Sequence, residues 1–247
     1  MMRKEISVCS DPQELARRAA ELFAELANQS VSATGRFAVA FSGGSTPRAL
    51  YSLLADPSFS HRIPWSATYV FWGDERYVPS DHPESNYRMA AETLLSKVPI
   101  PTENIFRMPA ENENAELAAT EYEQALRDFF RPKPDEAPRF DLILLGLGED
   151  GHTASLFAGT AALQERRRLV VANYVPKLTS FRLTLTLPVF NHAANVVFLV
   201  SGEGKASVVK EVLEGSGTSL PAQLIRPESG RLLFLLDRQG AKQLKPK

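Results

Sequence analysis

Apolar residues along this chain recur with two alternating periods, one suited to helices and the other to buried strands. In SDPQELARRAAELFAELANQ, residues 10–29, apolar side chains fall at helical spacing from Leu15 to Leu26 with charged residues between them. Ser10 or Asp11 is the candidate N-cap and Pro12 suits the first turn, so the spacing predicts a helix. RFAVAFSGG then reads as a strand, PRALYSLLAD as a helix, ATYVFWGDER as a strand and SNYRMAAETLLSKV as a helix. ENAELAATEYEQALRDFF is another amphipathic helix. Past the loop RPKPDEAPR, the continuous apolar run in FDLILLGLG marks a central parallel strand. ASLFAG reads as a short helix, and RRLVVANYV, RLTLTLPVF, NVVFLVSG and RLLFLLD as further strands, with the helix GKASVVKEVLEG between the last two.

Strands that alternate with helices predict an α/β fold with a mostly parallel, doubly wound sheet and helices on both faces. There is no internal repeat. The proline-rich piece at 131–138 is too short to link two domains, so residues 1–247 read as a single domain.

Composition narrows the functional classes. Twenty-eight Lys and Arg nearly cancel 29 Asp and Glu, leaving a net charge of -1 and no signal for a nucleic-acid partner. Small anions need only a local site and stay open. The single Cys9 excludes an internal disulfide and a thiolate metal cluster. No apolar run has the length of a membrane span. The opening MMRKEISVCSDPQELARRAAELF turns amphipathic too soon for a signal peptide, which points to the cytoplasm. No oligomeric state is implied.

Ligands of such sheets bind beyond the carboxyl ends of the strands, and three loops there carry the candidate chemistry. After FAVAF comes SGGSTPRAL, where Gly43 and Gly44 permit a tight turn, Thr46 can cap and Pro47 suits the first helical position. With Ser45, these residues form an anion cradle or simply a tight strand-to-helix turn. Neither the GK[ST] ending of a Walker loop nor the G-x-G-x-x-G spacing of a dinucleotide site is present.

The second loop, GDERYVPSDHPESNYRMA, sets Asp74, Glu75 and Arg76 directly beyond an apolar strand, with Ser85 and Asn86 opening the next helix. A solvated turn with an internal ion pair is the plainer reading of those charges. The third loop, in LILLGLGEDGHTASLF, places His152 two residues after Asp150 among Gly146, Gly148 and Gly151, with Gly151 removing a side chain beside the histidine. Asp150 could orient the imidazole and favour its charged form, as carboxylates do for catalytic histidines, or His152 could only cap or pack a helix start. Histidines 61, 82, 152 and 192 never fall at metal-ligand spacing, so no metal and no cofactor is expected.

These motifs, FSGGSTPRALY, FWGDERYVPSDHPESNYRMA, LLGLGEDGHTASLF, VPKLTSFRLTLTLPVFN and the SGEGKA after VVFLV, resemble the glucosamine-6-phosphate isomerase/6-phosphogluconolactonase family over nearly the whole chain. Of its branches, they are most similar to the lactonases. The deaminases share SGGSTP and the DGH core, but differ in the rest of the second and third loops. The resemblance implies hydrolysis of 6-phospho-D-glucono-1,5-lactone in the oxidative pentose phosphate pathway, with this sugar-phosphate lactone as the small-molecule partner. It also implies roles. His152 would activate water with Asp150 near it, and Arg76 would orient the substrate or polarise its carbonyl. Gly43, Gly44, Ser45 and Thr46 would meet the phosphate together with Arg182 and Lys205. Ser155 lies three residues past His152 but lacks the G-x-S-x-G elbow of a serine nucleophile. Two other readings stay open, an amino-sugar-phosphate deaminase or isomerase and a non-catalytic sugar-phosphate sensor. Against the sensor, the roughly forty residues before the first motif are too few for a helix-turn-helix module plus linker.

Overall fold

A computed structural model of the chain describes residues 4–133, 136–217 and 220–245, so that positions 134 and 135 of the proline-rich piece lie outside the described residues. In chain order the strands and helices are β1 (Lys4–Cys9), α1 (Pro12–Thr34), β2 (Phe37–Phe41), α2 (Ser45–Leu54), α3 (Pro57–Ser60), β3 (Thr68–Trp72), β4 (Asp74–Arg76), α4 (Asn86–Thr93) and α5 (Ala115–Phe130). They continue with β5 (Leu142–Leu145), β6 (Val170–Val175), β7 (Ser180–Leu185), α6 (Leu187–His192), β8 (Asn195–Val200), α7 (Ala206–Glu214) and β9 (Arg231–Asp237).

The two ends of α1 show why these residues form a helix. The Asp11 carboxylate accepts from the Glu14 N–H at 2.8 Å, Pro12 stands in the first turn, and Gly35 closes the helix with a left-handed φ of 79°. α1 runs past residue 29, where the spacing ends, because only Gly35 stops it. Its buried stripe includes Phe23, which packs edge-on against Phe37 at 5.3 Å. On α5, Phe129 and Phe130 join Phe71, Phe106 and Phe140 in a second aromatic cluster. β2 and β5 are buried along their whole length, as strands covered on both faces must be.

Six strands form a parallel sheet in the order β1-β9-β8-β5-β2-β3. This is the mostly parallel α/β architecture that the alternation predicts. β2 and β5 are neighbours whose chains continue in opposite directions across the sheet, β2 to β3 and β5 to β8. The carboxyl ends of β2 and β5 therefore flank a switch point, where such sheets open a crevice.

Four details depart from the sequence reading. β6 and β7 do not join the parallel sheet but form an antiparallel one with β4, in the order β4-β7-β6. Only a short turn at Pro176–Leu178 and a left-handed Thr179 connect β6 to β7, too little chain for a parallel crossover. Asp74–Arg76, read both as the end of the strand ATYVFWGDER and as the start of the second loop, form a separate strand, β4. β1 is an unpredicted edge strand that opens with Lys4 and Glu5, with Val8 54% exposed and β9 as its single neighbour. Finally, ASLFAG forms no helix. Ala154 takes a left-handed φ of 47°, which ends any helical run there. Among the described residues no helix is long and apolar enough to cross a membrane.

Candidate active site

A cleft of about 260 Å³ opens at the switch point, lined by residues that follow β2, β3, β5 and β8. Of the residues singled out from the sequence, Gly43, Gly44, Ser45, Thr46, Arg76, His152 and Lys205 line it together.

The first wall follows β2. α2 starts at Ser45, two residues before the expected Pro47, and Gly44 rather than Thr46 is its N-cap, with no side-chain cap bond. The amides of the first helical turn lack intrahelical acceptors, which leaves Ser45 and Thr46 a positive helix end at the cleft. Gly43 is required for another reason. A Cβ on it would overlap the side chain of Asn86, whose amide donates to the Asp74 carbonyl at 2.9 Å. The first and second loops are thereby locked together.

Glu75 organises the second loop from inside. Only 2% exposed, its carboxylate accepts from the Arg76 and Asn86 N–H groups at 2.7 Å each, the Tyr87 N–H at 2.8 Å and the Ser85 hydroxyl at 3.1 Å. Burial pushes its pKa up against those bonds. Three of the four donors are backbone, so Glu75 sets the path on which Arg76 and Asn86 stand. Glu75→Ala leaves these buried donors unpaired and is expected to cost roughly 3 kcal/mol or more, with activity lost as Arg76 moves. Urea unfolding measures this, and a midpoint equal to wild type refutes the organising role.

Asp74 and Arg76 supply charge to the cleft. Asp74 is 7% exposed, and its Oδ2 accepts from the buried Ser155 hydroxyl at 2.7 Å. Ser155 is thus occupied in holding a carboxylate, which agrees with the absence of a serine-nucleophile elbow. The Arg76 guanidinium donates to the Glu84 carbonyl at 2.7 Å. Arg182 faces Arg76 across the β4–β7 pair, where it donates to Ser180 Oγ at 2.8 Å and is not among the residues that line the cleft. Burial and the neighbouring Arg76 lower its pKa. Lys205 reaches the cleft from the turn before α7, with Glu149 3.9 Å from its ammonium.

The third loop holds His152 through its glycines, though by a different one than expected. A Cβ on Gly148 would overlap the imidazole, whereas the open side of Gly151 meets Leu220. Gly148 is therefore the residue that admits the histidine. Its N–H donates to the His152 carbonyl at 2.8 Å, and the Thr153 hydroxyl donates to the Gly146 carbonyl at 2.8 Å. His152 Nδ1 bonds Asp150 Oδ1, and its ring stacks on Phe157 with centroids 4.2 Å apart. An ionised carboxylate can only accept, so Nδ1 carries the hydrogen and Nε2 is the free basic nitrogen.

The surroundings as a whole nevertheless disfavour the charged imidazole. Burial lowers the His152 pKa, and Lys205, Arg76 and Arg182 push the same way while Asp74 opposes them. The imidazole therefore gives up its proton more readily than an ordinary histidine, which suits a general base. The second Asp150 oxygen bonds Lys177, which the sequence reading passed over. Among the described residues no three His, Cys, Asp or Glu side chains gather to hold a metal ion.

Comparison with known proteins identifies the family. The family model described as glucosamine-6-phosphate isomerases/6-phosphogluconolactonase matches residues 10–234. A 6-phosphogluconolactonase of Nostoc sp. is 41% identical over 98% of this chain and 99% of its own length. That of Rattus norvegicus is 42% identical over 97% of this chain and 93% of its own. Among solved structures, the 6-phosphogluconolactonase from Trypanosoma cruzi has a TM-score of 0.89 at 33% identity, covering 100% of this chain and 99% of that one. A monomeric glucosamine-6-phosphate deaminase reaches a TM-score of 0.80 at 21% identity over 97% of this chain and 99% of that one, a likeness of fold alone.

Proposed function

The chain belongs to the glucosamine-6-phosphate isomerase/6-phosphogluconolactonase family, and we propose that it hydrolyses 6-phospho-D-glucono-1,5-lactone to 6-phospho-D-gluconate with water activated by His152. One observation carries the reading: a carboxylate-oriented imidazole shares a cleft with an uncapped helix start and two cations. Ester hydrolysis needs a base, a stabilised oxyanion and, for this substrate, an anchor for the phosphate.

In the proposed sequence, Nε2 of His152 takes a proton from water as the oxygen attacks the lactone carbonyl carbon. The carbonyl oxygen becomes an oxyanion, which the Arg76 guanidinium stabilises. Collapse of this intermediate breaks the bond to the ring oxygen, and the imidazolium returns its proton there, giving an open-chain acid and neutral His152. Asp150 keeps Nδ1–H oriented throughout. The amides of Gly44, Ser45 and Thr46, together with Lys205, hold the phosphate, to which dianion a helix start and an ammonium are both complementary. Arg182 adds positive field from outside the lining. Asp74, an acceptor within the cleft, suits a ring hydroxyl.

Two substrates test the reading. Background-corrected hydrolysis of 6-phospho-D-glucono-1,5-lactone is expected to saturate, while glucosamine 6-phosphate releases no ammonia above the blank. Ammonia release without lactone hydrolysis would instead establish a deaminase, and binding of either compound without turnover a sensor.

A further inference from the structure

The bond between Lys177 and Asp150 is not used by the reaction just described. Lys177 extends from the Pro176–Leu178 turn that joins β6 to β7. Its ammonium bonds Asp150 Oδ2 and stands 4.6 Å from the centre of the Phe157 ring. That ring stacks on His152, and Asp150 Oδ1 bonds His152 Nδ1. One lysine thus touches both groups that support the imidazole, although its side chain is 51% exposed and no part of the cleft lining.

A carboxylate hydrogen-bonded to an imidazole ordinarily stabilises the imidazolium. That would place the base in its inactive form. We infer that Lys177 is a positioning residue: by binding the Asp150 oxygen turned away from the imidazole, it fixes the carboxylate and offsets its charge, so that Asp150 orients His152 without holding it protonated. The inference rests on His152 being the base. Other charges also face the ring. Glu149 lies on the same loop, Asp74 and Arg76 come from β4, Arg182 from β7 and Lys205 from the start of α7. Burial and the three cations lower the histidine pKa, with Asp74 opposing them. Lys177 differs from these cations in touching Asp150 and Phe157, the two groups that support the imidazole.

Lys177→Met removes the ammonium from an exposed position while retaining length and apolar contact with Phe157. Without the cation, Asp150 stabilises the imidazolium more strongly, so the His152 midpoint must rise. Two charges interacting near a protein surface make that rise ~0.5–1 pH unit. NMR titration of the imidazole nitrogens reads it directly, the His152 signals being identified by their loss in His152→Gln. The acid limb of kcat/KM is expected to move up by the same amount, lowering the background-corrected rate ~3–10-fold at a pH below the limb and much less well above it. Lys177→Arg keeps the charge and should retain both the midpoint and the limb. A His152 midpoint in Lys177→Met equal to wild type overturns the inference, whatever happens to the rate. A midpoint that moves while the limb stays supports the link through Asp150 and removes His152 as the base, so the two readings fail separately.

Discussion

His152→Ala leaves a folded protein that hydrolyses the phosphorylated lactone ~10²–10⁴-fold more slowly than wild type, the usual loss for a positioned general base. Little structural damage is expected. The side chain is 31% exposed, and its removal uncovers Phe157 and one oxygen of Asp150, which Lys177 still holds through the other. Circular dichroism and a thermal melt establish that the variant folds. The spontaneous opening of the lactone must be subtracted, because it sets the floor of the assay. The pH profile gives the same conclusion independently. Burial lowers the His152 pKa, and the active form is the neutral one, so wild-type kcat/KM should be flat above an acid limb lying below the ordinary histidine value of ~6.5. Activity is lost as pH falls through that limb. A folded alanine variant with more than half the wild-type rate would exclude the base role.

Much of this could be read from the sequence, because the relevant signals are local. Continuous apolar runs mark β2, β5 and β8 as buried parallel strands, and the loops at their carboxyl ends are where an α/β sheet binds ligands. That rule set the loops of Gly43–Thr46 and His152 at one edge of the sheet, and the structure has them line one cleft. The remainder depends on contacts distant in sequence. Glu75 looks like one of three solvated charges until α4 brings the Asn86 and Tyr87 amides onto its carboxylate. Lys177 is an unremarkable turn residue until the β6–β7 hairpin folds over Asp150. The glycines illustrate the limit well. Their clustering announces a close approach of backbone to side chain, yet only the folded loop shows that Gly148 makes room for the imidazole while Gly151 faces Leu220. ASLFAG has helical periodicity, but its polar groups are used at long range. The Ser155 hydroxyl holds Asp74 and the Ser155 carbonyl accepts from Asn173, so tertiary bonds replace helical ones.

Lys205→Ala should weaken kcat/KM for 6-phospho-D-glucono-1,5-lactone by roughly 10–150-fold, the value of one charge-assisted hydrogen bond of about 1.5–3 kcal/mol. Most of the effect should appear in KM, with a smaller fall in kcat if the phosphate also aligns the ring for attack. Arg182→Ala is expected to act in the same direction but less strongly, since Arg182 stands across from Arg76 and outside the cleft lining whereas Lys205 is part of it. The decisive comparison uses unphosphorylated D-glucono-1,5-lactone. It should be a poor substrate for wild type and nearly indifferent to the loss of Lys205, because the ammonium then has no partner. Wild type and Lys205→Ala, each with both lactones, form a cycle in which general damage to the fold cancels and only the coupling of ammonium to phosphate remains. The salt bridge from Glu149 does not spoil this logic. At 3.9 Å, and with Glu149 73% exposed, it is a weak surface pair that a phosphate dianion can displace. If both lactones lose the same factor when Lys205 is replaced, the lysine serves structure or chemistry, and the phosphate must be held by the amides of Gly44, Ser45 and Thr46 without it.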